Sequence, residues 1–486
     1  MIDSRPDAAS RDRRCWAVPE GPPLAALAAT FGDERAPLLF ESGAGSGPFA
    51  RWNLLMWDPR EVLGARADAA HDEPFARIDA ALARHFPGAR EQAAAAREHP
   101  AADDGDRPPF TGGVAGWLSY DLGRRLERLP VAARPDGDVP DLCLGVHAFA
   151  LAEDRSTGRR MLVGRGSDDE ARRRLDDLAR AADRAGDLDL EGALAPPAGP
   201  LTTSLDRDAY QAAVGRIVEH ILDGDVYQVN LAQRFELAWS GSATALHARL
   251  RRHSPAPFGA LLRTPGVTVV SDSPELFLRR RGERVLSRPI KGTRPRGADA
   301  AADARLAAEL EASAKEHAEL AMIVDLVRND LGRSACLGSV EVQLPFETDA
   351  WPTVFHRVVG VRARVPAATS TAALVAAAFP PASVTGTPKI RALEVIESLE
   401  PVRRHVYTGC LGWMGADGDC DLSVAIRIAT ALPGRLLVPV GSGITLLSDA
   451  AEEYDETLHK ARALFEALRL PLPAGAGAGP TPGGPR

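Results

Sequence analysis

The chain has 486 residues, 45% of them apolar and 5% aromatic, enough for one large core or roughly three domains. Its 58 basic and 66 acidic residues give a formal net charge of −8, which argues against a non-specific nucleic-acid binder, since that would need a basic face. No apolar run approaches the roughly 20 residues that cross a bilayer, and the amino-terminal MIDSRPDAASRDRRC lacks the apolar stretch of a secretion signal. The cysteines, at 15, 143, 336, 410 and 420, form neither a CxxC pair nor a metal-ligand spacing, so a reduced, cytoplasmic compartment is expected. Only Lys291, Lys315, Lys389 and Lys460 are lysines, leaving 58 − 4 = 54 arginines. A lysine that persists in so arginine-rich a chain can supply a compact ammonium or a nucleophilic amine, which a guanidinium cannot.

In chain order, residues 1–195 form a front section, within which 88–108 (alanine, aspartate and proline) reads as a surface excursion. Residues 192–204 read as a linker. The back section, 203–470, opens with a helix predicted over Asp206–Leu222 and closed by Gly224. A strand follows over 226–237, then two or three strands over 258–290. One long helix is predicted over 300–331 and another from Ala450 to Leu468. The tail, 471–486, is too poor in apolar groups to pack and is expected to be disordered. Strands and long helices without strict alternation predict an α+β fold with a largely antiparallel sheet.

Several residues carry chemistry. Glu316 and Glu319 are three apart on one predicted helix, and Glu453 and Glu456 are three apart on another, with Lys460 four beyond. Each pair is either a solvated helix face or half of an oxygen-ligand site for a hard cation such as magnesium. Lys291 stands between Pro289 and Gly292, either a turn lysine in solvent or an amine placed to attack an electrophilic carbon. Glu275, at a strand start, is either a surface carboxylate or a proton donor to a leaving hydroxyl. Gly441, Ser442 and Gly443 offer backbone amides to an anion. Lys389, at a helix entry, reads as structural. Arg427, amid apolar strand residues, should meet a buried carboxylate from protein or ligand.

The ordered motifs DGDVYQVNLAQRF, SDSPELFL, RPIKGTRPRG, KEHAELAMIVDLVRNDLGR, FPPASVTGTPKIRALEVIE, YTGCLGW, AIRIAT and VGSGIT…EYDETLHKA resemble the chorismate-utilising enzymes. The resemblance spans about 205–465 strongly. It is looser over LLFES (38–42) and FTGGVAGWLSYDL (110–122), where Glu41 and Ser42 fall in the part that senses tryptophan in anthranilate synthases. It implies antiparallel sheets forming a sandwich core flanked by helices. It also implies Mg2+ held directly by Glu319 and Glu456, with Glu316 and Glu453 close by or bound through water. Gln228, Thr293, Tyr407, Arg427, Gly441, Ser442, Gly443 and Lys460 would bind the substrate, chorismate. Water-activating members carry lysine where this chain has Gln228, and anthranilate-forming members carry alanine where it has Lys291. The resemblance therefore implies amination at C4, with Lys291 as nucleophile and Glu275 as acid, giving 4-amino-4-deoxychorismate for p-aminobenzoate and folate; anthranilate formation is the alternative. No cysteine sits in a glutaminase-like turn, so a separate glutamine amidotransferase subunit is the expected ammonia source, with no nucleic-acid or membrane partner. The chain departs from the family pattern at His356-Arg357-Val358-Val359, where a hydroxyl is missing, at Ala382, and at Gly386-Thr387-Pro388-Lys389. His356 lies either near the reacting ring or packed in the core.

Overall fold

A computed structural model describes residues 14–43, 49–66, 73–98 and 107–473, apart from 187, 193, 196 and 198. The expected disordered tail lies outside the described residues from 474 onward, as does much of the excursion. Within the excursion, Ala89–Glu98 is a helix that keeps most of its described side chains at the surface. Its Ala89 and Ala93 are buried, and Arg90 donates to the carbonyls of Ala367 and Thr369.

Two large sheets form the α+β core, one of twelve strands and one of nine, with a small three-stranded sheet beside them. Every strand-to-strand pairing among the described residues is antiparallel, as expected. The front and back sections do not form separate cores. Leu38–Glu41 of the front pairs with Phe258–Thr264 of the back, with Glu41 opposite Gly259. Gly113–Leu118 likewise pairs with Cys410–Gly415. The linker is thus a boundary of composition within one fold.

Period-two alternation explains how the sheets stack. Leu54, Met56, Ala150, Ala260, Leu262, Val267 and Val269 from the larger sheet meet Ala115, Trp117, Leu411 and Trp413 from the smaller in one buried cluster. Burying each large side chain of this kind contributes roughly 1.5–3 kcal/mol.

The helices cover the outer faces. Arg207–Leu222 begins at Asp206, whose side chain accepts from the Ala209 amide. Ala450–Ala467 begins at Asp449, which accepts from the amides of Ala451 and Glu452. An edge-on contact of Phe235 with Phe465 at 5.4 Å seats this last helix on the sheet, and one of Tyr210 with Tyr454 at 5.7 Å joins it to the helix Arg207–Leu222. Two expectations are corrected. Residues 300–331 are two helices, Ala300–Ala312 and Ala314–Gly332, because Ser313 turns the chain and caps the second through the Glu316 amide. Residues 258–290 hold four complete strands, ending with Arg284–Arg288 before a fifth starts at Ile290.

Candidate active site

The site is built on two adjacent strands, Gln228–Ala238 and Arg435–Ile444, with Asn230 opposite Gly443 and Ala232 opposite Gly441. Glycine at these two positions leaves room for other side chains to approach. A Cβ at Gly443 would sit 2.8 Å from Gln228 Nε2 and 3.0 Å from Lys291 Nζ, and one at Gly441 would sit 3.1 Å from the Tyr407 hydroxyl. Gln228 and Asn230 are two apart and so share a strand face. Gln228 is 1% exposed, yet among the described residues neither its amide nitrogen nor its oxygen has a partner, and Asn230 Nδ2 is equally orphaned. Leaving such a group unpaired costs about 1–3 kcal/mol. The strand holds these amides ready for a polar ligand.

Lys291 lies in the strand Ile290–Pro295, where the register slips between Ile290 and Thr293 and Gly292 takes a left-handed backbone (φ 86°). The kink turns the amine toward Gly443, so Lys291 is not a solvent-facing turn residue. Among the described residues it makes no hydrogen bond or ion pair, though it faces the carboxyl of Glu275. Glu275 stands between the strands Val267–Ser273 and Leu276–Arg281 and is 4% exposed. Burial raises its pKa to about 7, against the pull of the Ser383 hydroxyl, the Lys291 and Lys460 ammoniums and the Ile290 amide. A carboxyl that holds its proton near neutrality can give it to a leaving group and take it back.

The far wall is cationic. His356 is 1% exposed and shares a hydrogen bond between Nδ1 and the Thr293 hydroxyl at 2.9 Å. Burial and then the nearby Arg427 guanidinium hold its pKa down at about 3, so it is a neutral imidazole. Arg427 is not within a strand as expected: it precedes Ile428–Leu432 in a left-handed conformation (φ 50°). Burial depresses its pKa and the Asp272 carboxylate opposes this, but the guanidinium makes no hydrogen bond among the described residues. Its donors therefore remain for a ligand carboxylate.

Lys460 completes the wall, donating to the Gly441 carbonyl at 3.0 Å and pairing with Glu456 at 2.7 Å. Ser442, like Gly441 and Gly443, is expected to offer its backbone amide. Its neighbours face the cavity, so its own side chain points the other way, fully buried, to the Tyr210 hydroxyl at 2.9 Å. Only its backbone remains to meet a substrate.

The glutamate pairs approach the cavity from two directions. Glu316 Oε2 lies 2.9 Å from where a Gly292 Cβ would sit, and its other oxygen is 3.4 Å from Arg294. Glu456 is tied to Lys460, and Glu453, 5% exposed, accepts from the Ser448 hydroxyl at 2.6 Å. Glu319, half-buried, lies one turn after Glu316. Oxygen-only donors of this kind suit magnesium. Among the described residues, however, no three acidic, histidine or cysteine side chains gather into one ligand group, so the pairs are not preassembled around an ion.

Sequence reasoning passed over Asn230 and Ser383. The i, i+2 amides of VYQVN, unusual on a buried strand, were the available signal for Asn230; Ser383 lies in the FPPASVTGTPK motif, but its contact with Glu275 crosses more than a hundred residues and no local pattern shows it. Glu41 and Ser42 line a second, open pocket between the two large sheets, where Glu41 shares a 2.7 Å hydrogen bond with His247 Nε2. Among the described residues no helix is long and apolar enough to cross a membrane.

An amine, a buried acid and neighbouring cationic side chains in one region of the fold suit an enzyme acting on a small anionic substrate. A family model of chorismate binding enzymes matches residues 36–466. The chain is 37% identical over 437 residues to aminodeoxychorismate synthase component 1 of Klebsiella aerogenes, covering 89% of this chain and 93% of that one. It is 35% identical over 464 residues to anthranilate synthase component 1 of Streptomyces coelicolor, covering 92% and 86%. The crystal structure of anthranilate synthase component I from Streptococcus pneumoniae superposes with a TM-score of 0.72 at 25% identity, covering 86% and 93%. The chain belongs to the chorismate-utilising enzyme family.

Proposed function

We propose that this enzyme aminates chorismate at C4, giving 4-amino-4-deoxychorismate with the enolpyruvyl group retained. The observation that carries the reading is the convergence of Lys291 Nζ and the Gln228 amide beside Gly443, with the charge of Lys291 acting on the buried Glu275 carboxyl. Arg427, Lys460, Tyr407 and the Gly441 and Gly443 amides hold the substrate's carboxylates, and Thr293 keeps neutral His356 in place. The Glu275 carboxylate takes a proton from the Lys291 ammonium; the freed amine attacks C2 of the ring as the C4 hydroxyl leaves, and Glu275 passes that proton on to make the leaving group water. Ammonia then bonds to C4, the C2–nitrogen bond breaks, and Lys291 departs as a neutral amine. Glu275 recovers its proton from the new ammonium. Dividing one poor substitution into two easier ones is what an amine nucleophile supplies. Gln228 favours this course because a neutral amide is no base for water.

Magnesium would be held by Glu319 and Glu456, with Glu316 and Glu453 adjacent or acting through water, and would neutralise one substrate carboxylate. Ammonia would come from a glutamine amidotransferase subunit, in keeping with the "component 1" in the relatives' names. The product would feed p-aminobenzoate and folate. The test is product identification by mass spectrometry with chorismate, magnesium and ammonium. The reading expects an aminated product that retains the enolpyruvyl group; direct release of anthranilate and pyruvate would replace it with the anthranilate reading.

A further inference from the structure

Lys389 is half-buried at the head of the helix Lys389–Leu399, and all three of its ammonium protons are taken. Nζ donates to Asp330 Oδ2 at 2.6 Å, to the Ala378 carbonyl at 3.0 Å and to the Pro380 carbonyl at 2.9 Å. These acceptors belong to two different parts of the site. Asp330, 5% exposed, is in the last turns of Ala314–Gly332, the helix that carries Glu316 and Glu319. Ala378 and Pro380 lead directly into the short turn Ala382–Val384, whose Ser383 hydroxyl bonds to Glu275. Glu275, Ser383 and Asp330 line one cavity. Three acceptors converging on one nitrogen suit a tetrahedral ammonium and not a planar guanidinium, which accounts for a lysine here in a chain with 54 arginines among its 58 basic residues.

We propose that Lys389 is a positioning residue for the reaction: its ammonium clasps the glutamate-bearing helix to the Ser383 turn and thereby seats the Ser383 hydroxyl on Glu275. The inference rests on Glu275 acting as the acid in the chemistry above. Lys389 touches neither the Lys291 amine nor the cationic wall, so it acts on the proton donor and not on substrate capture. The groups facing Glu275 are the Ser383 hydroxyl, Lys291 and the Ile290 amide from the neighbouring strand, and Lys460 from the last helix, with Asp330 on the wall of the same cavity. Donation from Ser383 favours the ionised carboxylate, so loosening the turn raises the pH at which Glu275 loses its proton.

The experiment compares wild type with Lys389→Met, Lys389→Arg, Ser383→Ala and the Lys389→Met/Ser383→Ala double variant. Two readouts are taken: the pH profile of kcat with chorismate, magnesium and ammonium, and the infrared band of the protonated Glu275 carboxyl, assigned with Glu275→Gln. The expected result for Lys389→Met is a kcat lowered at least tenfold, KM for chorismate within threefold, and a titration midpoint moved upward. Lys389→Arg, which keeps the charge, moves the midpoint the same way, and the double variant moves no further than Ser383→Ala alone. A midpoint unmoved in both Lys389 variants, or an additive double variant, overturns the proposal. If Lys389→Met does not fold, Lys389→Arg carries the test. The infrared titration needs no turnover, so it tests the clasp even if the assigned reaction fails.

Discussion

Replacing Glu275 by glutamine should separate stability from activity. In the folded protein burial lifts this carboxyl from its ordinary value of 4.5 to about 7. The folded chain therefore holds the proton over a pH range in which the unfolded chain has released it. Below 4.5 both forms are protonated and the group costs nothing. As pH rises toward 7 the unfolded state gains by ionising and the fold loses stability; above 7 the loss is complete. At about 1.4 kcal/mol per pH unit, the gap between 4.5 and about 7 amounts to roughly 3 kcal/mol. Glutamine keeps the shape and never ionises, so Glu275→Gln should gain up to about 3 kcal/mol on wild type between pH 4.5 and pH 8.5. Denaturant melts of both proteins at the two pH values read the difference. The same variant should lose roughly 10²- to 10⁴-fold in kcat, the usual worth of a positioned acid. A stability difference that does not change with pH would refute the buried, proton-holding carboxyl.

Arg427→Gln removes a guanidinium whose donors wait for a carboxylate, and a charged hydrogen bond contributes about 1.5–3 kcal/mol, so KM for chorismate should rise roughly 10- to 100-fold with a smaller change in kcat. Glu456→Gln should raise the magnesium concentration needed for half-maximal activity and weaken chorismate binding, both measurable by steady-state kinetics; unchanged dependence on magnesium would remove Glu456 from the metal site. Ser442→Ala should leave KM within threefold while lowering the unfolding free energy by about 1 kcal/mol, because its hydroxyl serves Tyr210 and not the cavity.

Local signals in the sequence transferred well to the structure. Asp206 before an apolar-periodic run marks a helix start, and it caps one. Gln228, Lys291, Glu275 and Gly443 lie in short motifs with known spacing, and the structure brings them together. Ser313 was not legible as a break, since serine is tolerated inside a helix and becomes a cap only when the chain turns there. Sharing of both sheets between front and back sections depends on pairings such as Glu41 with Gly259, more than two hundred residues apart, which no local pattern encodes. The orientation of Ser442 follows from strand alternation once glycines 441 and 443 are known to face the cavity, a register that composition does not reveal. Arg427 reads as a strand residue because its neighbours are apolar, whereas it stands just before the strand with a left-handed backbone whose carbonyl accepts from the Asp272 amide.

The measurement closest to the central claim is the intact mass of the protein mixed with chorismate and magnesium in the absence of ammonia, followed by peptide mapping. The account predicts an increase equal to chorismate less one water, located on Lys291, absent from Lys291→Ala and discharged when ammonium is added. A Lys291→Ala protein that still aminates chorismate at the wild-type rate, with no adduct on the wild type, would contradict it.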